Sequence, residues 1–204
     1  MICRAGVGAM TIIDGDVITA ANRNRQLPAL TSTTGRKKAE VMGERLLDIN
    51  PELRLRIIPE FIRDQRMTDI LKEERYDYVV DAIDTLSPKV FLVYHSLRLQ
   101  LRVVSSMGAG GKYDPTAIRV ADISETNFCN LARMLRKKLH KLGVHEGFLA
   151  VYSPEVVEKS LIVRGSDESN KASSVGTMSY MPAAFGLVCA SVVIRELAGI
   201  THGA

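Results

Sequence analysis

A chain of 204 residues with 46% apolar and 25% charged side chains can bury one sizeable core, and a single soluble globular domain spanning 1–204 is the default reading. The net charge of +4 is a mild basic excess, which permits a phosphate-rich partner without requiring one. Cys3, Cys129 and Cys189 form no Cys-x-x-Cys pair, which argues against a structural zinc site or a disulfide framework and suits reduced thiols in the cytoplasm.

Residues 10–14 are a short apolar, β-branched run ending in Asp14, the pattern of a buried parallel strand. A polar loop through Asn22, Arg23, Asn24 and Arg25 follows. Gly35 then opens a helix whose Ala39, Met42, Leu46 and Ile49 recur at helical spacing, stopped by Asn50 and Pro51. Residues 53–59 read as a strand near a sheet edge and 67–74 as a short helix. Residues 78–84 form a second buried strand carrying Asp81 and Asp84, with a helix at 88–97 and a strand at 101–105. Strands and helices alternating at this spacing predict a doubly wound, parallel α/β sheet.

Gly108, Gly110 and Gly111 predict a flexible loop, and 118–121 and 149–152 two further strands. Between them, 130–142 is amphipathic: Leu131, Met134, Leu135, Leu139 and Leu142 form one face, while Arg133, Arg136, Lys137 and Lys141 point elsewhere. Residues 159–176 are polar and predict a mobile surface loop. The last helix opens at Pro182, and its apolar run, 182–194, is too short to span a bilayer. The start has no basic region followed by a long apolar stretch, so no signal peptide is expected. The expectation is a cytoplasmic protein with no membrane partner.

In an open parallel sheet, ligands bind beyond the carboxyl ends of the strands. Asp14 and Asp84 stand at two such ends. An acid at the first can accept hydrogen bonds from a ribose, and one at the second can hold Mg2+ through oxygen; either can equally be a solvated or capping aspartate. Asn22, Arg25 and Lys38 could complete a phosphate site, arginine as a planar fork and lysine as a compact charge. Cys129 and Cys189 lie in apolar helix patterns and read as packing residues. The basic side of 130–142, with Arg133, Arg136, Lys137 and Lys141, can dock RNA phosphates or be an ordinary solvated face.

Four segments in order resemble the ATP-dependent carboxylate-adenylating enzymes, which include the ubiquitin-activating enzymes and the adenylyltransferases of thiamine and molybdopterin synthesis. They are Ile13-Asp14-Gly15-Asp16, Asn22-Arg23-Asn24-Arg25-Gln26, Gly35-Arg36-Lys37-Lys38-Ala39-Glu40 and Asp81-Ala82-Ile83-Asp84. That resemblance implies a Rossmann-like domain using ATP and Mg2+. It gives Asp14 the ribose, Asn22, Arg25 and Lys38 the phosphates, and Asp84 the metal, with Arg25, Lys38 and Asp84 stabilising the reaction.

The second half, 106–204, resembles the threonylcarbamoyladenosine dehydratases. It does so through Ser105-Ser106-Met107-Gly108-Ala109-Gly110, Asp114-Pro115-Thr116, Val120-Ala121-Asp122-Ile123, the basic helix opening Leu131-Ala132-Arg133, and Gly176-Thr177-Met178-Ser179-Tyr180-Met181-Pro182. The implied activity is ATP-dependent cyclisation of threonylcarbamoyladenosine in tRNA through an acyl-adenylate, by a homodimer. The alternatives are activation of a ubiquitin-like sulfur carrier, with a sulfur-transfer protein as partner, or a dimerisation module without catalysis. Members of the superfamily normally open with a strand and a Gly-x-Gly-Gly-x-Gly loop, whereas Met1-Ile2-Cys3-Arg4-Ala5-Gly6 resembles the end of the helix that follows. The expectation is an N-terminally truncated domain.

Overall fold

The computed structural model describes residues 1–158, 160, 162–164 and 173–200. Two compact units divide the chain, Met1–Arg63 and Asp64–Ala204.

In the first unit, β1 (Ala9–Ile13) runs parallel to β2 (Arg54–Ile58), with Met10 opposite Leu55 and Ile12 opposite Ile57. Among the described residues β2 pairs with β1 alone, the edge position its alternating arginines predict. Between them lies α1 (Lys38–Ile49). It begins three residues later than predicted because Gly35 is left-handed, at φ +90°, and Lys37 is still extended. Its Leu46 packs with Cys3 and Leu53, flanked by Met10, Ile12 and Met42. Val41 packs on the other side with Ile18 and Ala29. Each large side chain removed from water in this way contributes about 1.5–3 kcal/mol.

The second unit is built on a four-stranded sheet. Its strands are β3 (Val79–Asp81), β4 (Val103–Ser106), β5 (Arg119–Asp122) and β6 (Leu149–Tyr152), in the order β3-β4-β6-β5. The first three neighbours are parallel, and β5 runs antiparallel to β6. The strand expected over 78–84 stops at Asp81, whose Oδ1 accepts the Ile83 N–H at 3.0 Å and turns the chain out of the ladder. Asp84 therefore stands three residues past the strand, not at its tip.

The helices of this unit are α2 (Asp64–Glu73), α3 (Leu86–Arg98), α4 (Asn130–His140) and α5 (Tyr180–Leu197). α5 starts two residues before Pro182, which the first turn tolerates because its N–H groups have no helical partner. By length and composition α5 could cross a membrane, longer than the run at 182–194 suggested. Its Met181, Phe185, Cys189, Val192 and Val193 are nonetheless buried, and it packs on β4 and β6. The segment expected to be a loop over 159–176 contains an antiparallel pair, β7 (Ile162–Arg164) and β8 (Ser173–Val175). Residues 159, 161 and 165–172 of that segment lie outside the described residues.

Candidate functional site

In the first unit the chain leaves β1 through Asp14, whose N–H still donates to Ile58 O at 3.2 Å. Asp14 Oδ1 accepts the Asp16 N–H at 2.8 Å, so the acid closes a tight turn and is half-buried. Gly15 is buried in that turn: a Cβ there would lie 2.6 Å from the Phe61 backbone nitrogen, which explains a glycine between two aspartates.

Lys38 is the first residue of α1, with only 9% of its surface exposed. Its backbone N–H donates to Asp16 O at 3.0 Å, and its ammonium meets Asp16 Oδ2 at 2.7 Å. Half of the Asp16 side chain is in solvent, which leaves the lysine a partner that an incoming anion can replace. Asp16 was absent from the residues predicted for the site. Its signal in the sequence was its place two residues after Asp14, in the same turn.

Asn22 is buried and closes the 3-10 turn Ala20–Asn22: its Oδ1 accepts the Thr19 N–H at 3.0 Å. The half-buried Arg25 donates from Nη1 to Ala21 O at 3.0 Å and to Asn24 Oδ1 at 2.9 Å. Both residues thus shape the polar loop they stand in. Gln26, the last residue of the same motif, has a buried Oε1 with no hydrogen-bond partner, an acceptor open to a bound donor.

In the second unit Asp84 lies exposed between β3 and α3. Beneath it is a feature the sequence reading missed. Asp81 and Lys89 are both fully buried, and their charged groups are 2.7 Å apart. The signal was a lysine on the apolar face of α3, in helical register with Val93 and Ser96.

Farther along, Lys112 is buried. Its ammonium donates to Ser153 O at 3.2 Å and to Glu155 O, and burial lowers its pKa. Glu155 in turn accepts the N–H groups of Tyr113 and Asp114 and the Ser153 hydroxyl. Desolvation opposes its ionisation, but those bonds outweigh it and hold its carboxyl below the ordinary range. The glycine loop at 108–111 is thereby tied to the segment after β6.

The basic residues expected to dock RNA, in α4 and at Lys141 just past its end, divide in two. Arg133, Lys137 and Lys141 are exposed. Arg136 is half-buried, and its Nη1 donates to Ile123 O at 3.2 Å, to Thr126 O at 2.8 Å and to the Thr126 hydroxyl. It clamps the 3-10 turn Ile123–Glu125.

A model of the ThiF family matches residues 1–203. The chain belongs to the ThiF family. Over 96% of its length it is 37% identical to the tRNA threonylcarbamoyladenosine dehydratase of Haemophilus influenzae and covers 78% of that protein. It is 34% identical to the dehydratase of Bacillus subtilis, covering 80% of it. These identities put it in the dehydratase branch of the family. The Escherichia coli tRNA N6-threonylcarbamoyladenosine dehydratase, crystallised with ATP, matches it with a TM-score of 0.85 at 33% identity, over 97% of this chain and 78% of that one. The Rossmann-like α/β fold expected from the sequence is therefore the fold of the branch.

Proposed function

We propose that this chain is an ATP-dependent tRNA threonylcarbamoyladenosine dehydratase. The observation that carries the reading is its identity to enzymes of that name over nearly its whole length, one relative having been crystallised with ATP. The whole of 1–204 acts as one adenylating domain, with 106–204 supplying what is particular to the branch.

The free carboxylate of the threonylcarbamoyl group attacks the α-phosphorus of ATP, and pyrophosphate leaves. The modification's own carbamoyl group then closes on the activated acyl carbon, AMP departs, and the base carries a ring. No protein nucleophile is required. Ring closure is intramolecular, so holding the acyl group in place can supply about 7–11 kcal/mol of the barrier.

In the first unit Asp14 takes the ribose hydroxyls, while Asn22, Arg25 and Lys38 meet the phosphates; the lysine exchanges Asp16 for phosphate oxygen. Asp84 in the second unit is the metal-binding residue. Among the described residues no three His, Cys, Asp or Glu gather into a site that holds an ion unaided. One exposed carboxylate suits Mg2+, which binds through one or two carboxylates and completes its shell with substrate phosphates and water. When bound, Mg2+ neutralises charge developing on the phosphates. The protein works as a homodimer in the cytoplasm, without a membrane partner, and α5 is a core helix.

Lys38→Met and Asp84→Asn test these roles. Each should lower tRNA-dependent AMP formation by about 100-fold or more, the scale of losing one electrostatic stabiliser. Unfolding midpoints in urea should barely move for Lys38→Met, because its partner is half-exposed and such pairs contribute about 0–1 kcal/mol. Wild-type rates in either variant would remove that residue from the mechanism.

A further inference from the structure

We propose that Lys89, paired with Asp81, is a positioning residue for Asp84. The inference rests on the proposed role of Asp84 as the metal-binding residue. An ammonium has three N–H donors, and all three of Lys89 are used inside the protein. They reach Asp81 Oδ2 at 2.7 Å, Ile83 O at 2.9 Å and Ser106 O at 2.9 Å. Asp81 is equally occupied. Its Oδ2 also accepts the Ser105 hydroxyl at 2.5 Å, and its Oδ1 accepts the Ile83 N–H at 3.0 Å.

Neither charged side chain has any exposure to solvent. Taking such a pair out of water costs several kcal/mol per ion, and apolar residues of the same volume often stabilise a fold as well or better. Stability alone is therefore a weak reason for charge at this place. What the pair does geometrically is specific. Both backbone polar groups of Ile83 are bound to it, and Ile83 is the residue whose peptide carries Asp84. The same ammonium holds Ser106 O, so the turn is fixed to the end of β4 as well as to β3. Asp84 itself is exposed, and the planar peptide before it transmits the position of Ile83. A residue that orients a metal-binding group from behind typically changes metal affinity or activity about 10- to 100-fold when replaced.

The experiment compares Lys89→Met, the double variant Asp81→Asn/Lys89→Met, which leaves no unpaired buried charge, and Asp84→Asn. Amide hydrogen exchange in the free protein is read at 82–85 and at β6. Half-saturating Mg2+ and half-saturating tRNA are read in AMP formation. The expected result is faster exchange at 82–85 with β6 unchanged, and half-saturating Mg2+ raised about tenfold or more with half-saturating tRNA unchanged. Adding Lys89→Met to Asp84→Asn should then raise half-saturating Mg2+ no further. A folded double variant with wild-type exchange and wild-type Mg2+ dependence overturns the proposal. So does failure of both Lys89 variants to fold, since the pair would then serve folding and not placement. Wild-type Mg2+ dependence in Asp84→Asn overturns instead the metal role on which the proposal rests, and the exchange data distinguish the two failures.

Discussion

Cys189 lies on the buried face of α5. Burial pushes its thiol up to about 11; a hydrogen bond with the Ser106 side chain and the Lys89 charge pull the other way, and the Asp81 charge adds to the rise. The thiol is thus protonated at neutral pH, which fits a packing residue and not a nucleophile. The consequence for stability has a definite sign. The folded chain keeps this proton up to about pH 11, whereas the unfolded chain releases it near 9. The contribution is complete below pH 9 and is lost as pH climbs from 9 to about 11. Tyr78, raised by burial and then by its hydrogen bond to Glu196, acts in the same direction, so a variant is needed to separate the two. Urea unfolding of the wild type should weaken more steeply across that window than unfolding of Cys189→Ala. Parallel slopes would contradict the assignment.

At the scale of elements, α4 shows which part of a helix a sequence discloses. Leu135 and Leu139 are buried as their spacing predicts, together with Ala132. Met134 and Leu142, assigned to the same apolar face, are exposed, at 46% and 39%. The helix needs only a narrow stripe, and Leu142 lies beyond its last residue, His140. Arg133 and Lys137 stand four residues apart on the exposed side, with exposed Lys141 just past the helix end; these three are our candidates for tRNA phosphates, whereas Arg136 carries structure. Arg133→Ala/Lys137→Ala should weaken tRNA binding and reduce its logarithmic salt slope by about 1.4–1.8, with stability unchanged. Arg136→Ala should instead cost stability, on the order of 1.5–3 kcal/mol for its hydrogen bonds. Binding and salt slope unchanged in the double variant would dismiss the face as a docking surface.

The same distinction runs through the other elements. β1 and β6 were legible because short apolar runs identify buried strands. The antiparallel direction of β5 and the β7–β8 pair were not, because three or four residues carry too little pattern to give direction or pairing. The motif Asn22-Arg23-Asn24-Arg25-Gln26 stands out in the sequence as a cluster of phosphate-type donors. That Asn22 Oδ1 and Arg25 Nη1 are engaged by their own loop depends on backbone conformation, which composition does not encode. Asp16 and Lys89 escaped notice for a related reason: each matters through a partner that only the fold supplies, Lys38 for one and Asp81 for the other.

For the whole molecule, the proposed chemistry is a coupled reaction in which ATP is cleaved only as a tRNA base loses water. Adenylation by itself does not distinguish this chemistry from activation of a carrier protein's C-terminus, because the phosphate-handling residues would serve both. The product does. The purified chain should be incubated with Mg-ATP and tRNA bearing threonylcarbamoyladenosine, the tRNA digested to nucleosides, and the modified nucleoside weighed while AMP and pyrophosphate are counted. The expected product is a nucleoside lighter by one water, formed in equal amount to AMP and absent without ATP. An unchanged nucleoside, with AMP appearing only when a Gly-Gly-ended carrier protein is added, would contradict it.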